Sequence, residues 1–355
     1  MYERTTASIK GMKTTFEILV GCRQGGQESP VVFNFYFDFV LKVAAAEIDK
    51  IFPDGWGLEF SFLIPNSCSN RDQRSRQKLQ GVEVIRWILY ADDVVLFAKN
   101  CQDAEKLLNI IHTTCKRFGL NISFKKTKTQ AFNDKSLAEK PTLITVDGHV
   151  IENVRQFTYL GHIFDNHSVM SCIEYRTARA SAKFNQLREV LCDLKVNKKT
   201  RRKLLESCVI PRLIYGLQAC FPKEEEMKKI ESCWFQLLRS MVKGGWRRVS
   251  EDPEDPDFRF VYSNIELQRI IGAKSIRDIL LAHHLRYLGH VCRDENTTLT
   301  KKLMFADPQV SYFRDPWKKI ADSVGVDRNQ LLRMTQNRAN FKRFTRSLMD
   351  PLQRR

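Results

Sequence analysis

Four residues constrain this chain more than any others. Tyr90-Ala91-Asp92-Asp93 separates two apolar, β-prone runs, Val82 to Leu89 and Val94 to Ala98. Runs joined so closely fold back as a hairpin. The tip is an awkward choice for a turn, because Asn-Gly or Asp-Gly suits the backbone better. Two like charges walled by Ile88, Leu89, Val94, Val95, Leu96 and Phe97 also repel each other. A cation should compensate. Hard divalent ions prefer carboxylate oxygens, and in-line displacement at phosphorus uses two of them about 3.5–4 Å apart. A solvated acidic turn is the other reading of the same residues.

The elements around the hairpin follow from periodicity. Ser29, a good N-cap, and Pro30, pre-shaped for the first helical position, should open a helix. Phe33, Phe35, Tyr36, Phe37, Phe39, Val40 and Leu41 lie nearly all round its first half, which predicts burial on most sides. Pro53-Asp54-Gly55 ends it, and the basic stretch through Asn70, Arg71, Arg74, Arg76 and Lys78 reads as an exposed loop. Asp103 is expected to cap the next helix, whose seam is Leu107, Ile110, Ile111, Thr114 and Phe118, with Gly119 as its stop. Leu120, Ile122 and Phe124 alternate like a strand, followed by the turn Lys125-Lys126-Thr127-Lys128 and another strand. Asp147-Gly148 signals a hairpin, and a second hairpin is expected between Phe157 and Phe164.

Beyond about residue 170 the pattern turns helical. Ile173, Thr177, Ala180, Phe184, Leu187, Leu191 and Leu194 form one seam, with Arg176, Arg179, Lys183 and Arg188 mostly off it. The densest basic run, Lys195, Lys198, Lys199, Arg201, Arg202 and Lys203, opens a helix near Thr200 that Pro211 breaks or kinks. Met227, Ile230, Trp234, Leu237, Leu238 and Met241 mark another helix, ending at Gly244-Gly245. Glu251-Asp252-Pro253-Glu254-Asp255-Pro256 reads as a linker before a helical C-terminal region.

Composition narrows the partner. Lys and Arg outnumber Asp and Glu by 58 to 41, a net +17, which favours a polyanion such as nucleic acid. No stretch approaches the roughly 20 apolar residues that span a bilayer, and Met1-Tyr2-Glu3-Arg4 does not open a secretory signal, so an intracellular protein is expected. The ten cysteines include no Cys-x-x-Cys pair, which argues for small buried thiols rather than zinc ligands.

Several segments together resemble one family. Ile88-Leu89-Tyr90-Ala91-Asp92-Asp93-Val94-Val95-Leu96-Phe97 is similar to the YxDD hairpin of reverse transcriptases, in the form typical of non-LTR retrotransposons. Gly21-Cys22-Arg23-Gln24-Gly25-Gly26-Gln27-Glu28-Ser29-Pro30 resembles the same family's RQGxxxSP motif, which leads into a helix beside the incoming nucleotide. Unhindered backbone N–H groups in such a Gly-rich turn can also approach phosphate closely. Phe118-Gly119-Leu120-Asn121 through Lys128 is similar to the next palm motif, with Lys126 best matching the lysine near the nucleotide phosphates. Phe157-Thr158-Tyr159-Leu160-Gly161-His162 looks like the primer-grip hairpin. Leu285 to Arg293 resembles a C-terminal segment of several such elements; His283, His284, His290 and Cys292 lack the paired-cysteine spacing of a zinc knuckle, and the histidines are expected to be packed or hydrogen-bonded rather than to bind zinc.

The resemblance implies an α+β fold: a partial right-hand polymerase palm over residues 1–168, an antiparallel sheet with helices. A thumb-like helical region over 169–248 and a helical C-terminal region over 249–355 would follow. It implies an RNA-directed DNA polymerase acting on an RNA template, a DNA primer and deoxynucleoside triphosphates, in the nucleus, with two Mg²⁺ ions (Mn²⁺ as a substitute). Asp92 and Asp93 would hold metal, and Lys126 would assist proton transfer. Arg23, Gln24, Gly25 and Tyr90 would border the nucleotide. Tyr159, Leu160 and Gly161 would grip the primer, and Lys198, Lys199, Arg201, Arg202 and Lys203 would track the backbone.

One part of the family pattern is missing. The first palm motif supplies another metal-binding aspartate upstream of the RQGxxxSP segment, yet the first aspartate in this sequence is Asp38. Asp38 sits in the later helix with Lys42 one turn away as its partner. The expectation is therefore a truncated copy with impaired activity, the alternative being a catalytically inactive remnant that still binds nucleic acid.

Overall fold

Short strands paired mostly in twos alternate with helices in the first half of the chain, and helices dominate the second, an α+β architecture. The computed structural model describes residues 5–8, 15–18, 26–65, 79–132, 143–165, 168–243, 246–248, 258–306 and 316–348. They divide into two units, Met1–Glu59 with Val84–Val154, and Phe60–Glu83 with Arg155–Arg355.

In the first unit, β1 (Thr5–Ser8) and β2 (Thr15–Ile18) pair antiparallel. Helix α1 (Ser29–Ile51) has Pro30 in its first turn, but its N-cap is Glu28 rather than Ser29. Strand β3 (Leu58–Ile64) pairs with β4 (Leu79–Ile85), and from Phe60 to Glu83 this ribbon belongs with the second unit. Strands β5 (Trp87–Tyr90) and β6 (Asp93–Leu96) form the expected hairpin. The apolar run that begins at Val82 thus breaks at Arg86 into two strands with different partners. Helix α2 (Cys101–Arg117) is capped by Asn100, whose side chain accepts from the Asp103 backbone N–H and donates to the Asp103 carboxylate at 2.9 Å. Asp103 therefore sits in the first turn instead of capping it. Strands β7 (Lys128–Thr129), β8 (Ile144–Val146) and β9 (His149–Asn153) form a sheet in the order β7-β9-β8. The expected strand at Leu120 to Phe124 is absent: Leu120 and Ile122 cover the core from irregular backbone, and Phe124 begins a turn.

The core of this unit joins Val40, Leu41, Ala44 and Ile48 of α1 to Leu107, Ile111 and Cys115 of α2, with Trp56 between them. Each such large side chain contributes about 1.5–3 kcal/mol by leaving water. The prediction that the first half of α1 is buried on most sides fails among the described residues. Phe35 is 75% exposed and Phe39 51%, while the face bearing Val40, Leu41, Ala44 and Ile48 packs on α2. Apolar content all round a helix predicts burial only if other elements cover every side. Lys42 and Asp38 do pair, at 2.7 Å.

In the second unit β10 (Gln156–Tyr159) and β11 (His162–Asp165) form a hairpin that packs on α3 (Met170–Gln186). The short α4 (Arg188–Leu191) precedes α5 (Lys198–Leu204), which runs through a π-turn at Leu205–Val209 into α6 (Ile210–Ile214). Pro211 has no N–H to donate, and the wider π-turn before it absorbs that loss without ending the helix there. A 3₁₀ turn (Leu217–Ala219) leads to α7 (Glu224–Val242), which holds the predicted seam and ends at Lys243, with Gly244-Gly245 beyond the described residues. Strands β12 (Trp246–Arg248) and β13 (Phe258–Phe260) pair. Helices α8 (Asn264–Ile271), α9 (Ile276–Arg293), α10 (Leu299–Met304), α11 (Pro316–Val324), α12 (Arg328–Gln336) and α13 (Arg338–Ser347) complete the chain. Trp234 is fully buried in a core made with Ile173, Phe184, Leu213, Leu238 and Leu280. The acidic linker and the basic loop at 66–78 lie outside the described residues.

Candidate active site

The acidic hairpin is held at its base and open at its tip. Trp87 of β5 meets Trp56 edge-on at 5.1 Å, and Arg86 lies over the same ring. Trp56 in turn donates from Nε1 to Asp49 of α1 at 2.9 Å. Leu96 packs against the same core, so both strands rise from the α1–α2 pair. At the tip Tyr90 pairs with Asp93, and Ala91 and Asp92 make the turn. Tyr90, Asp92 and Asp93 are all exposed. Ala91 adopts φ +52°, a conformation that costs an L-residue roughly 1–2 kcal/mol and that concentrates where geometry matters more than stability.

Among the described residues no Lys, Arg or His pairs with either carboxylate, and no three His, Cys, Asp or Glu side chains cluster as a complete metal cage. Two carboxylates on one hairpin suit an ion that takes one or two protein oxygens and completes its shell with water and substrate phosphates. The donor chemistry therefore fits magnesium bound together with a nucleotide.

Lys126 stands on a built turn. Its backbone N–H and that of Thr127 both donate to Ser123 O, at 3.0 and 2.9 Å, and the preceding Phe124 ring stacks on His149 at 4.5 Å. The Lys126 side chain is exposed. Nearby, Asp147 in the β8–β9 turn accepts from Lys116 at 3.2 Å and lies 3.3 Å from His112. The Lys116 hydrogen bond, then that of His112, holds its carboxyl below the usual range. Arg23, Gln24 and Gly25 lie outside the described residues.

Tyr159, Leu160 and Gly161 form the tip of the β10–β11 hairpin, with Leu160 at φ +48° and Gly161 at φ +74°. This two-residue turn matches the strand twist. Its hairpin falls in the second unit, with the helices. Arg176, expected off the apolar seam of α3, is instead buried and donates from Nη2 to Gly161 O. Tyr215 donates from its hydroxyl to Leu160 O at 3.0 Å. Spacing could have flagged Arg176, three residues after Ile173 and four before Ala180 on the buried face. Nothing in the sequence flags Tyr215.

The basic helix is less uniform than its sequence. Lys198, Lys199 and Lys203 are exposed. Arg201 is buried and donates to Val196 O at 3.1 Å, Leu191 O at 3.4 Å and Met241 O at 3.0 Å. Contrary to expectation, it joins helices rather than facing a backbone of phosphates. Arg202 donates to Gly272 O at 3.2 Å and lies 3.8 Å from Glu206.

Residues 1–164 match the family described as "Reverse transcriptase (RNA-dependent DNA polymerase)". This segment, which contains the acidic hairpin, is similar to reverse transcriptase domains. A transposon-derived protein of Caenorhabditis elegans is 33% identical over 158 residues, 43% of this chain and 55% of that protein. A Drosophila melanogaster protein named "Probable RNA-directed DNA polymerase from transposon BS" is 27% identical over 233 residues, 62% of this chain and 24% of that protein. The chain thus spans about half the length of the first and about a quarter of the second. No solved structure matches the chain significantly. Among the described residues no helix is long and apolar enough to cross a membrane.

Proposed function

We propose that the chain acts as an RNA-directed DNA polymerase, extending a DNA primer on an RNA template by nucleotidyl transfer from deoxynucleoside triphosphates. The observation that carries this reading is the adjacent, exposed Asp92 and Asp93, without a cationic side-chain partner among the described residues, inside the segment that matches the family. Magnesium, or manganese in its place, would there lower the pKa of the primer hydroxyl and neutralise charge on the leaving pyrophosphate. Asp92 and Asp93 present adjacent, exposed donor oxygens at the hairpin tip. Tyr90, Arg23, Gln24 and Gly25 border the nucleotide, and Lys126 meets its phosphates and delivers a proton to the leaving group. Tyr159, Leu160 and Gly161 support the primer end.

The same reading divides the chain into a palm over 1–168, a thumb-like region over 169–248 and a C-terminal region over 249–355, and puts its work in the nucleus. Lys198, Lys199 and Lys203 offer the exposed charges that a template–primer duplex would meet.

Primer extension on an RNA template with Mg²⁺ tests the proposal. Extension that disappears in Asp92→Asn supports it. Salt-sensitive binding of the template–primer with no extension would leave the binding remnant instead, since phosphate contacts weaken as salt displaces them.

A further inference from the structure

The tip of the β10–β11 hairpin is tied down from behind by two residues far apart in sequence. Both of its carbonyl oxygens are taken: Leu160 O by the Tyr215 hydroxyl at 3.0 Å, and Gly161 O by the buried Arg176 guanidinium. The two donors also hold each other, since the Arg176 guanidinium carbon lies 4.5 Å from the Tyr215 ring centroid and 5.3 Å from that of Tyr175. Ring quadrupoles attract a desolvated cation more strongly than a hydrated one, so burial tightens this stack. Behind Tyr215, Gly216 at φ +78° makes room for the next hairpin residue: a Cβ there would come within 2.5 Å of His162 Nδ1. His162 is itself flanked by the Cys172 and Cys220 thiols, 3.4 Å from Nδ1 and 3.7 Å from Nε2.

A turn with both positive-φ residues in place needs no such tethers to exist, because the paired strands already close it. What the tethers fix is the direction in which the tip points relative to α3 and α6. We propose that Arg176 and Tyr215 are positioning residues that aim the Tyr159–Gly161 tip at the primer's 3′ end. This rests on the primer-grip reading above. Through the pair, the hairpin moves as one body with the helices, so the primer end is registered against them.

The test compares two duplexes of equal length with the full chain: a DNA primer on RNA with a recessed 3′ end, and a blunt hybrid. The readout is the ratio of the two dissociation constants, beside the melting temperature of each variant. Losing one hydrogen bond corresponds to about a fivefold change. Tyr215→Phe should therefore cut the preference for the recessed end by about that factor, leaving blunt-hybrid affinity unchanged. Arg176→Gln should cut it further, and Arg176→Lys should restore part of it, an order that a purely structural loss would not give. Because Tyr215 is half exposed, its variant remains informative if the Arg176 variants fold poorly. Leu160→Ala removes the tip's side chain while leaving its carbonyl, and tests the grip itself. If Leu160→Ala abolishes the preference but Tyr215→Phe and Arg176→Gln leave it intact, the positioning role is overturned and the grip stands. If Leu160→Ala leaves it intact as well, the grip reading falls and the positioning role with it.

Discussion

His284, in the middle of α9, donates from Nε2 to the carbonyl oxygen of Leu217 at 2.9 Å, with Cys220 O also 2.8 Å away. Both partners are acceptors, so the proton sits on Nε2 and the ring is satisfied while neutral. Burial pushes its pKa below 6.5, outweighing the two carbonyls, and burial likewise lowers His162 and His283. The unfolded chain therefore binds protons that the folded chain refuses. Stability is complete above pH 6.5 and falls as pH drops from there toward the folded-state values. Melting temperatures measured between about pH 7 and pH 5 should decline, and the decline should be shallower in His284→Gln, which cannot charge.

Asp92→Asn and Asp93→Asn should each lower extension by about 100-fold or more, as removal of a group that stabilises transition-state charge does. Neither should lower the melting temperature, because both side chains are exposed. Steady-state extension across a magnesium titration checks this: a defect that rising magnesium fully repairs would mean that the carboxylates only recruit the ion.

Ala91 offers a separate handle on the same tip. Its φ of +52° is open to glycine and poorly tolerated by a β-branched residue. Ala91→Gly should relieve the roughly 1–2 kcal/mol that an L-residue pays there, less the entropy glycine loses, and so stabilise the hairpin slightly, whereas Ala91→Val should destabilise it further. Denaturant unfolding of the two variants, read alongside extension, separates strain from chemistry.

Arg201 and Lys203 lie two residues apart and should behave in opposite ways. Arg201→Met leaves the carbonyls of Val196, Leu191 and Met241 without their donor, at about 3 kcal/mol or more of stability. Lys203→Gln should leave stability unchanged. It should instead reduce the slope of log affinity against log salt by about one for each phosphate that the lysine neutralises. Equilibrium unfolding and a salt titration of duplex binding give the two readings.

These pairs show where sequence is sufficient. Asp147-Gly148 announces its hairpin because the turn backbone needs residues that accept positive φ, a local requirement, whereas Leu160 at φ +48° is a residue type that gives no such signal. The α7 seam is legible for the same reason: Ile230, Trp234 and Leu238 recur on one face. Where the structure departs, the missing information is tertiary. Phe35 and Phe39 look like core until the neighbours of α1 are known. Arg176, Arg201 and Lys301 look like surface charge, yet all three are buried because backbone carbonyls meet them, Lys301 reaching Cys292 O and Asp294 O at 2.8 Å each. A string of letters shows donors but not the acceptors the fold will bring. Strand β3 is a different case, since Phe60, Phe62 and Ile64 alternate inward, a signal that period two could have revealed.

Gly216 gives the helical elbow an unusual kind of intolerance. It touches no proposed substrate and bears no functional group, but the imidazole of His162 occupies the volume that any side chain would need. Replacement by even the smallest chiral residue would force the His162 imidazole to shift and would strain the backbone at φ +78°. Descendants of this chain could thus change many charged surface letters before they could change that hydrogen for a methyl.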